Sequence, residues 1–184
     1  AERVYDFISY TTRMSSIQDT IMNTNGMLLD TQMIKAILEA GLDKIVISID
    51  SPEKTSYEAI RVGANFETVV GHVRQLIEHR NSNGFWKTLV RVQMTVLPET
   101  KSMVPEFIRM WQPYADEIAC NAVTGVLENE GDGFLQDPNR LMSCAQPWQR
   151  LVVLSTGKVV ACCGDQRGML VVGDVYNQSL HDIW

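Results

Sequence analysis

Apolar and polar residues along this chain recur with two periods, and the switches between them predict its elements. In the opening ERVYDFISYTTRM, Val4, Phe7, Ile8 and Thr11 share one helical face. DTIMNTNG reads as a strand that Gly26 breaks. Asp30 then stands as the cap of a helix over TQMIKAILEAG, whose Met33, Ile34, Ile37 and Leu38 recur at helical spacing and whose stop is Gly41. KIVISIDSP predicts a β-branched strand that ends at Ser51-Pro52. A short helix near residues 54–61 follows, then a longer one over FETVVGHVRQLIEHR. TLVRVQMTVLP is the third strand, SMVPEFIRMW the next helix and DEIACNAV the fourth strand.

This alternation over short connections is the pattern of right-handed βαβ units that build a parallel sheet. Beyond Val123 the pattern changes. TGVLENEGDGFLQDPNRLMSC is rich in Gly, Asn and Asp and reads as a loop. QRLVVLSTGKVVACC predicts a hairpin with Thr156 and Gly157 at the centre of its turn, and LVVGDVYNQSLHDIW adds a strand and a short helix. The expected organisation is an α/β domain over 1–123, a linker loop over 124–143 and a small cysteine-bearing module over 144–184.

Two strands are more polar than strands buried on both faces should be. In IVISIDS, Ile45, Ile47 and Ile49 share one face, while Val46, Ser48 and Asp50 share the other. In LVRVQMTVL, Val90, Val92, Met94 and Val96 oppose Arg91, Gln93 and Thr95. Helices must cover the apolar faces, so the polar faces meet on the other side of the sheet. That side either holds a polar ligand or is solvated at an open edge. The strand ends, where ligands of parallel sheets bind, carry Thr24-Asn25-Gly26, Ser48 to Ser51, Thr95 and Asn121.

Composition narrows the partners. The 184 residues can bury one good core, or one domain and part of a second. A formal charge of -6 argues against a nucleic-acid partner, which normally faces a basic stripe. No apolar run reaches the roughly 18 residues of a membrane span, so no membrane partner is expected. Four cysteines, Cys120, Cys144, Cys162 and Cys163, are too few for a disulfide framework, and a cytoplasmic setting with free thiols is expected.

A turn centred on Thr156 and Gly157 would set Cys162 opposite Leu151, with Cys144 returning to it through Pro147. Neighbours on a strand point to opposite faces, so one cysteine of the 162–163 pair is expected as a ligand and the other as a small packed hydrophobe. His72 and His79, seven residues apart on one helix, are expected on its solvated face. Two thiolates are half of a zinc or iron–sulfur site, and on spacing alone buried inert cysteine stands beside metal.

NTNGMLLD, KIVISIDSPEKTSYEAIRVGANFETVVGHV and RVQMTVL resemble the central part of the radical S-adenosylmethionine (radical SAM) enzymes. CAQPWQRLVVLSTGKVVACCGDQRGMLVVGDVYNQSLHDIW resembles the first half of the SPASM, or shorter twitch, extension that carries auxiliary iron–sulfur clusters. Cys144, twelve residues, Gly157, four residues and Cys162 match its opening C…GxxxxC pattern. The resemblance implies a partial, TIM-barrel-like (β/α)6 barrel of about four parallel strands, followed by a small module containing a β-hairpin. The CxxxCxxC loop that holds the family's catalytic cluster does not occur in this sequence, nor does its Gly-Gly-Glu-Pro-like segment. The expectation is therefore an internal fragment with an open sheet edge, unable by itself to cleave the cofactor.

The implied cofactors are S-adenosyl-L-methionine and [4Fe-4S] clusters. In the family, a reduced cluster passes one electron to the cofactor, and the resulting 5′-deoxyadenosyl radical abstracts a substrate hydrogen. The implied partners are a peptide, protein, sugar or other small-molecule substrate and an electron donor such as ferredoxin or flavodoxin. Carried over by position, Thr24 and Asn25 lie at the cofactor rim, and Ser48 and Asp50 hydrogen-bond the ribose or the methionine end. Arg61 pairs with the methionine carboxylate, Gln93 lines the lumen, and Cys144 and Cys162 are auxiliary-cluster ligands. The alternatives are a cluster-free α/β binding or scaffold module and a small zinc-binding protein using Cys144 and Cys162.

Overall fold

The computed structural model describes residues 3–122, 145–165 and 167–184, in two compact units, Ala1–Val123 and Thr124–Trp184. In the first unit the elements run α1 (Val4–Thr11), β1 (Ile21–Thr24), α2 (Thr31–Glu39), β2 (Lys44–Ser48), α3 (Lys54–Ile60), α4 (Phe66–Ser82) and β3 (Leu89–Val96). A 3₁₀ turn (Pro98–Met103), α5 (Val104–Trp111) and β4 (Glu117–Ala122) complete it. The strands form one parallel sheet in the order β1-β2-β3-β4.

The alternation in β2 and β3 decides which side the helices take. Ile45, Ile47, Ile49, Val90, Val92 and Met94 are fully buried. They belong to one core with Ile34, Ile37 and Leu38 of α2, Val69, Val73 and Leu76 of α4, and Phe107 and Trp111 of α5. Each such side chain contributes about 1.5–3 kcal/mol by leaving water. The caps also follow the sequence. Asp30 accepts a hydrogen bond from the Met33 N–H at 2.8 Å, and Asn65 does the same for Thr68 at 2.8 Å. The first helix differs from expectation. Ile8 is buried, but Phe7 is 69% exposed, because the stripe defined by Val4 and Ile8 meets the core and leaves Phe7 beside it.

Aspartates close the amino-terminal margin of this sheet. Asp43 accepts from the Thr20 N–H at 2.9 Å and pairs with Lys87 at 2.6 Å. Asp116 accepts from the Val90 N–H at 2.7 Å and pairs with Arg80. Arg80 is itself buried and also donates to the Thr88 carbonyl at 3.1 Å.

The second unit contains a 3₁₀ turn (Gln146–Trp148), β5 (Val152–Val153), β6 (Lys158–Val160), β7 (Val171–Asp174) and α6 (Leu180–Ile183). Its strands form an antiparallel sheet in the order β5-β6-β7. The hairpin register is one residue away from expectation, with Val152 opposite Val160 and Val153 opposite Val159. Leu154 N–H donates to the Lys158 carbonyl at 2.8 Å, and Gly157 N–H to the Leu154 carbonyl at 2.9 Å. The loop therefore has three residues and ends on Gly157 at φ +83°, a left-handed position that favours glycine. A one-residue shift exchanges the faces of a strand, and the expected pairing of Cys162 with Leu151 is lost with it.

Candidate functional site

Register places one set of side chains on the sheet face opposite the helices: Asn23 of β1, Lys44, Val46 and Ser48 of β2, Arg91, Gln93 and Thr95 of β3, and Glu117, Ala119 and Asn121 of β4. The inward and outward sets in β2 and β3 are those expected from the alternation. Near the strands' amino ends, Lys44 meets Glu117 at 2.6 Å, and Arg91 approaches the same carboxylate at 3.6 Å. Further along, Gln93 Nε2 donates to Ser48 Oγ at 3.2 Å. The serine hydroxyl hydrogen and the side-chain amide oxygen of Gln93 have no partner among the described residues. Asn23 was not singled out from sequence, because IMNT is too short to display an alternation.

At the carboxyl ends the expected residues meet one another. The ladder continues one step past β2, from Ile49 N–H to the Gln93 carbonyl at 2.8 Å. Asp50 Oδ1 then accepts from the Thr95 N–H at 2.9 Å. Its Oδ2 accepts from Arg61 Nε at 2.7 Å and pairs with Nη2 at 2.6 Å. Asp50 is thus buried with both oxygens bound by protein, where direct contact with a cofactor is the expectation from sequence. A buried carboxylate needs such partners, and α3 returns the chain so that Arg61 lies over it. The other guanidinium donors of Arg61 have no protein partner among the described residues, and its side chain is 29% exposed against 7% for Asp50. Ser51, next in sequence, accepts from the Glu53 N–H at 3.0 Å and forms the turn into α3. Tyr57 is buried, its ring tilted against Phe66 with centres 5.5 Å apart, and burial pushes its phenol pKa up.

A cavity of about 380 Å³ opens beside Arg61, lined by Asn25, Met27 and residues 60–64. Asn25 arrives there through the turn after β1. Thr24 Oγ1 accepts from Gly26 N–H at 3.1 Å, and Asn25 Oδ1 from Met27 N–H at 3.1 Å. Thr24 itself sits opposite Ile47 in register, on the helix-covered side, and does not line the cavity. Gly26 has φ +79°, and a Cβ there would meet Val69 Cγ1 at 3.0 Å. His72, expected on a solvated face, instead lies with Nδ1 2.9 Å from the Gly26 carbonyl. Its fellow His79 stacks on Phe85 with the ring centres 6.3 Å apart.

In the second unit β6 stops at Val160, so Cys162 and Cys163 lie in a turn closed by Asp165 N–H donating to the Cys162 carbonyl at 3.1 Å. Strand alternation does not apply there. Cys163 is exposed, contrary to the expected apolar packing, and Cys162 is half-buried. Gly164 N–H donates to Cys162 Sγ at 3.3 Å. Asp165 accepts from the Leu170 and Met169 N–H groups at 2.7 and 2.9 Å, which hold its carboxyl below the ordinary range and close the loop. Cys144, the other expected ligand, lies outside the described residues, and among those residues no three metal-binding side chains form a group. Cys120 is on β4, where burial raises its thiol pKa and it packs against the core. No helix among the described residues is long and apolar enough to cross a membrane.

The cavity suits the cofactor that the sequence resemblance implies, and Cys162 is one side chain of the type a cluster takes. The cavity is within the range of about 300–1,000 Å³ typical of small-molecule sites. It offers a guanidinium for a carboxylate and, at Val62 (92% exposed), an apolar surface for a planar group. The Cys162 thiol with its N–H donor suits a soft metal or cluster.

Comparison with known proteins gives two family matches. The radical SAM superfamily matches residues 2–110, and SPASM, described as an iron-sulfur cluster-binding domain, matches residues 144–184. Two proteins of Methanococcus maripaludis, from strains S2 and C5, each named "Probable GTP 3',8-cyclase", are 34% identical over 73 residues and 37% identical over 62 residues. These stretches are 40% and 34% of this chain, and 24% and 20% of those proteins. Among solved structures, BtrN in complex with AdoMet and 2-DOIA aligns over the whole chain and 56% of its own length, at 19% identity and TM-score 0.54. Streptococcus suis SuiB bound to precursor peptide SuiA aligns over 99% of this chain and 51% of its own, at 11% identity and TM-score 0.60. The chain thus spans about half the length of these structures, and the likeness to them is one of fold.

Proposed function

From the premise that this chain belongs to the radical SAM superfamily and carries a SPASM extension, we propose that its first unit holds S-adenosylmethionine at the carboxyl ends of the strands and its module holds an auxiliary [4Fe-4S] cluster. The observation that carries this reading is Arg61, fixed on one edge by Asp50 while it also lines the cavity shared with Asn25. A guanidinium so oriented suits a bidentate contact with the methionine carboxylate. Asp50 acts here by positioning Arg61, and Ser48, turned by Gln93, offers its hydroxyl to a ribose or amino group. When bound, S-adenosylmethionine with a reduced cluster supplies one-electron hydrogen-abstraction chemistry. The protein's part is to orient the reactants and exclude water.

Cys144 and Cys162 are proposed as auxiliary-cluster ligands. The substrate would lie on the helix-free face, where Asn23, Arg91, Gln93 and Asn121 present polar groups. A peptide, the class of molecule that SuiB was solved with, pairs naturally with such amides. A ferredoxin- or flavodoxin-type electron donor and a cytoplasmic setting belong to the same proposal.

The test is calorimetric titration of S-adenosylmethionine into this chain. Removing a charged hydrogen bond costs about 1.5–3 kcal/mol, so Arg61→Ala should bind roughly ten- to a hundredfold more weakly. Arg61→Lys keeps a charge for Asp50 and should fold normally, yet lose the bidentate contact and most of the affinity. Absence of binding by the unmodified chain, or equal binding by a folded Arg61→Lys variant, would overturn the assignment.

A further inference from the structure

We propose that His72 is a positioning residue for this site: from α4 it holds the turn that carries Asn25 into the cavity. The inference deepens the reading above and rests on it. A carbonyl oxygen only accepts, so the 2.9 Å contact requires that His72 Nδ1 carry the hydrogen and donate it to Gly26. The Gly26 carbonyl also accepts from Leu29 N–H at 3.3 Å, so one oxygen is tied both to the next turn of chain and to α4. Behind it, the space a Cβ would need at Gly26 is taken by Val69 of α4 and Ile47 of β2, at 3.0 and 3.3 Å. The turn is therefore pressed onto α4 by packing and fixed there in azimuth by one directional bond.

The facing wall of the cavity is anchored to the same helix. Asn65 caps α4 through Thr68 N–H, and its own N–H lies 3.4 Å from Met27 Sδ across the opening. Residues 60–64 reach Asn65 directly in sequence, and Met27 and Asn25 belong to the turn held by His72. The first two turns of α4 thus set the spacing between Asn25 and Arg61, the distance a ligand must span. Of the α4 side chains, His72 supplies the hydrogen bond to the β1 side of that gap. Its neighbour Gln75, one turn further on, binds Thr31 Oγ1 of α2 at 2.7 Å and touches neither wall.

Three variants test this. His72→Phe keeps the ring without its donor, His72→Asn returns an N–H near the place of Nδ1, and Gln75→Ala removes a bond of the same helix that does not reach the turn. Two readouts are taken: amide hydrogen exchange at Gly26, Met27 and Leu29, which needs no ligand, and the dissociation constant for S-adenosylmethionine. His72→Phe should speed exchange at these amides and weaken binding by about tenfold, equivalent to roughly 1.4 kcal/mol. His72→Asn should recover most of both, and Gln75→Ala should change neither. Unchanged exchange in His72→Phe overturns the inference while leaving the site assignment standing. Faster exchange with unaltered affinity also overturns it, since the bond would then serve the fold alone. If the unmodified chain takes up no S-adenosylmethionine, the site assignment fails and the role of His72 in it fails too, whatever the exchange data show.

Discussion

In the unit spanning Ala1–Val123, β2 and β3 bury Ile45, Ile47, Val90, Val92 and Met94 completely beneath α2, α4 and α5. In the unit spanning Thr124–Trp184, Val159 and Val160 are the buried apolar side chains among the described residues, while Trp148, Met169, Tyr176 and Trp184 are mostly exposed. The first unit has the core of a domain that folds through apolar burial. The second is organised by turns: Gly157 against the Tyr176 ring, Asp165 on two backbone N–H groups, and Ser179 capping α6. A segment that small gains stability from a cross-link or a metal when apolar burial is slight. On the proposed reading, the two halves of the chemistry would sit on supports of different kinds, one preformed and one stabilised by its cluster.

The strongest challenge to this contrast is cluster loading. Anaerobic reconstitution with iron and sulfide should slow amide exchange across β5, β6 and β7 and leave β1 to β4 as they were; Cys162→Ser should lose the effect along with the bound iron. Protection that rises equally in both units would erase the distinction. Next in size is Asp116→Ala, which leaves Arg80 charged and buried without its carboxylate. Breaking such a pair typically costs about 3–5 kcal/mol, and the loss should appear in urea unfolding of the first unit alone. Gly157→Ala is the counterpart in the module. It forces a left-handed residue and a Cβ against the Tyr176 ring, with a cost of roughly 1–3 kcal/mol for the backbone term, read as faster exchange in the hairpin.

Two smaller effects sharpen the picture. Tyr57 has a buried hydroxyl with no partner among the described residues, so Tyr57→Phe should be neutral or stabilising by about 1 kcal/mol, measured by thermal unfolding. Burial works to raise the Asp43 carboxyl, but Lys87 and the Thr20 N–H outweigh it and hold its pKa below the ordinary value. Its stabilisation is therefore present above the unfolded value of about 4 and is lost as the pH falls through the folded one. Asp43→Asn should flatten this part of the acid unfolding curve, and an unchanged curve would remove Asp43 as its source.

The sheet was legible because burial on one face forces a period of two, and Ile45, Ile47 and Ile49 could not all be inside otherwise. The strand ends were legible for the same reason, and Ser48 with Gln93 was found on the side that alternation assigns. What alternation does not encode is how polar groups choose among partners. Asp50 and Arg61, eleven residues apart, each face a ligand on the sequence reading, yet they bind each other. His72 was missed because nothing in a helical sequence marks a carbonyl that arrives from forty-six residues away. The hairpin differs from expectation by one residue at its turn, where Gly157 allows a two- or a three-residue loop, and Cys163 is exposed where the two-residue turn implies apolar packing. The Cys144 assignment lies outside the described residues.

The margins of the sheet have a consequence for how this protein can change. At Thr20, Val90 and Thr95 the backbone donors just past the last rung shared with one neighbouring strand are met by the side chains of Asp43, Asp116 and Asp50. The connecting segments need not supply carbonyls there, so their length and sequence are released from the geometry of the ladder. Insertions after Asp50 or before Asp116 would alter what surrounds the strand ends while the scaffold keeps its register. Such a frame allows new recognition surfaces to be tried on it, one loop at a time, with little risk to the fold.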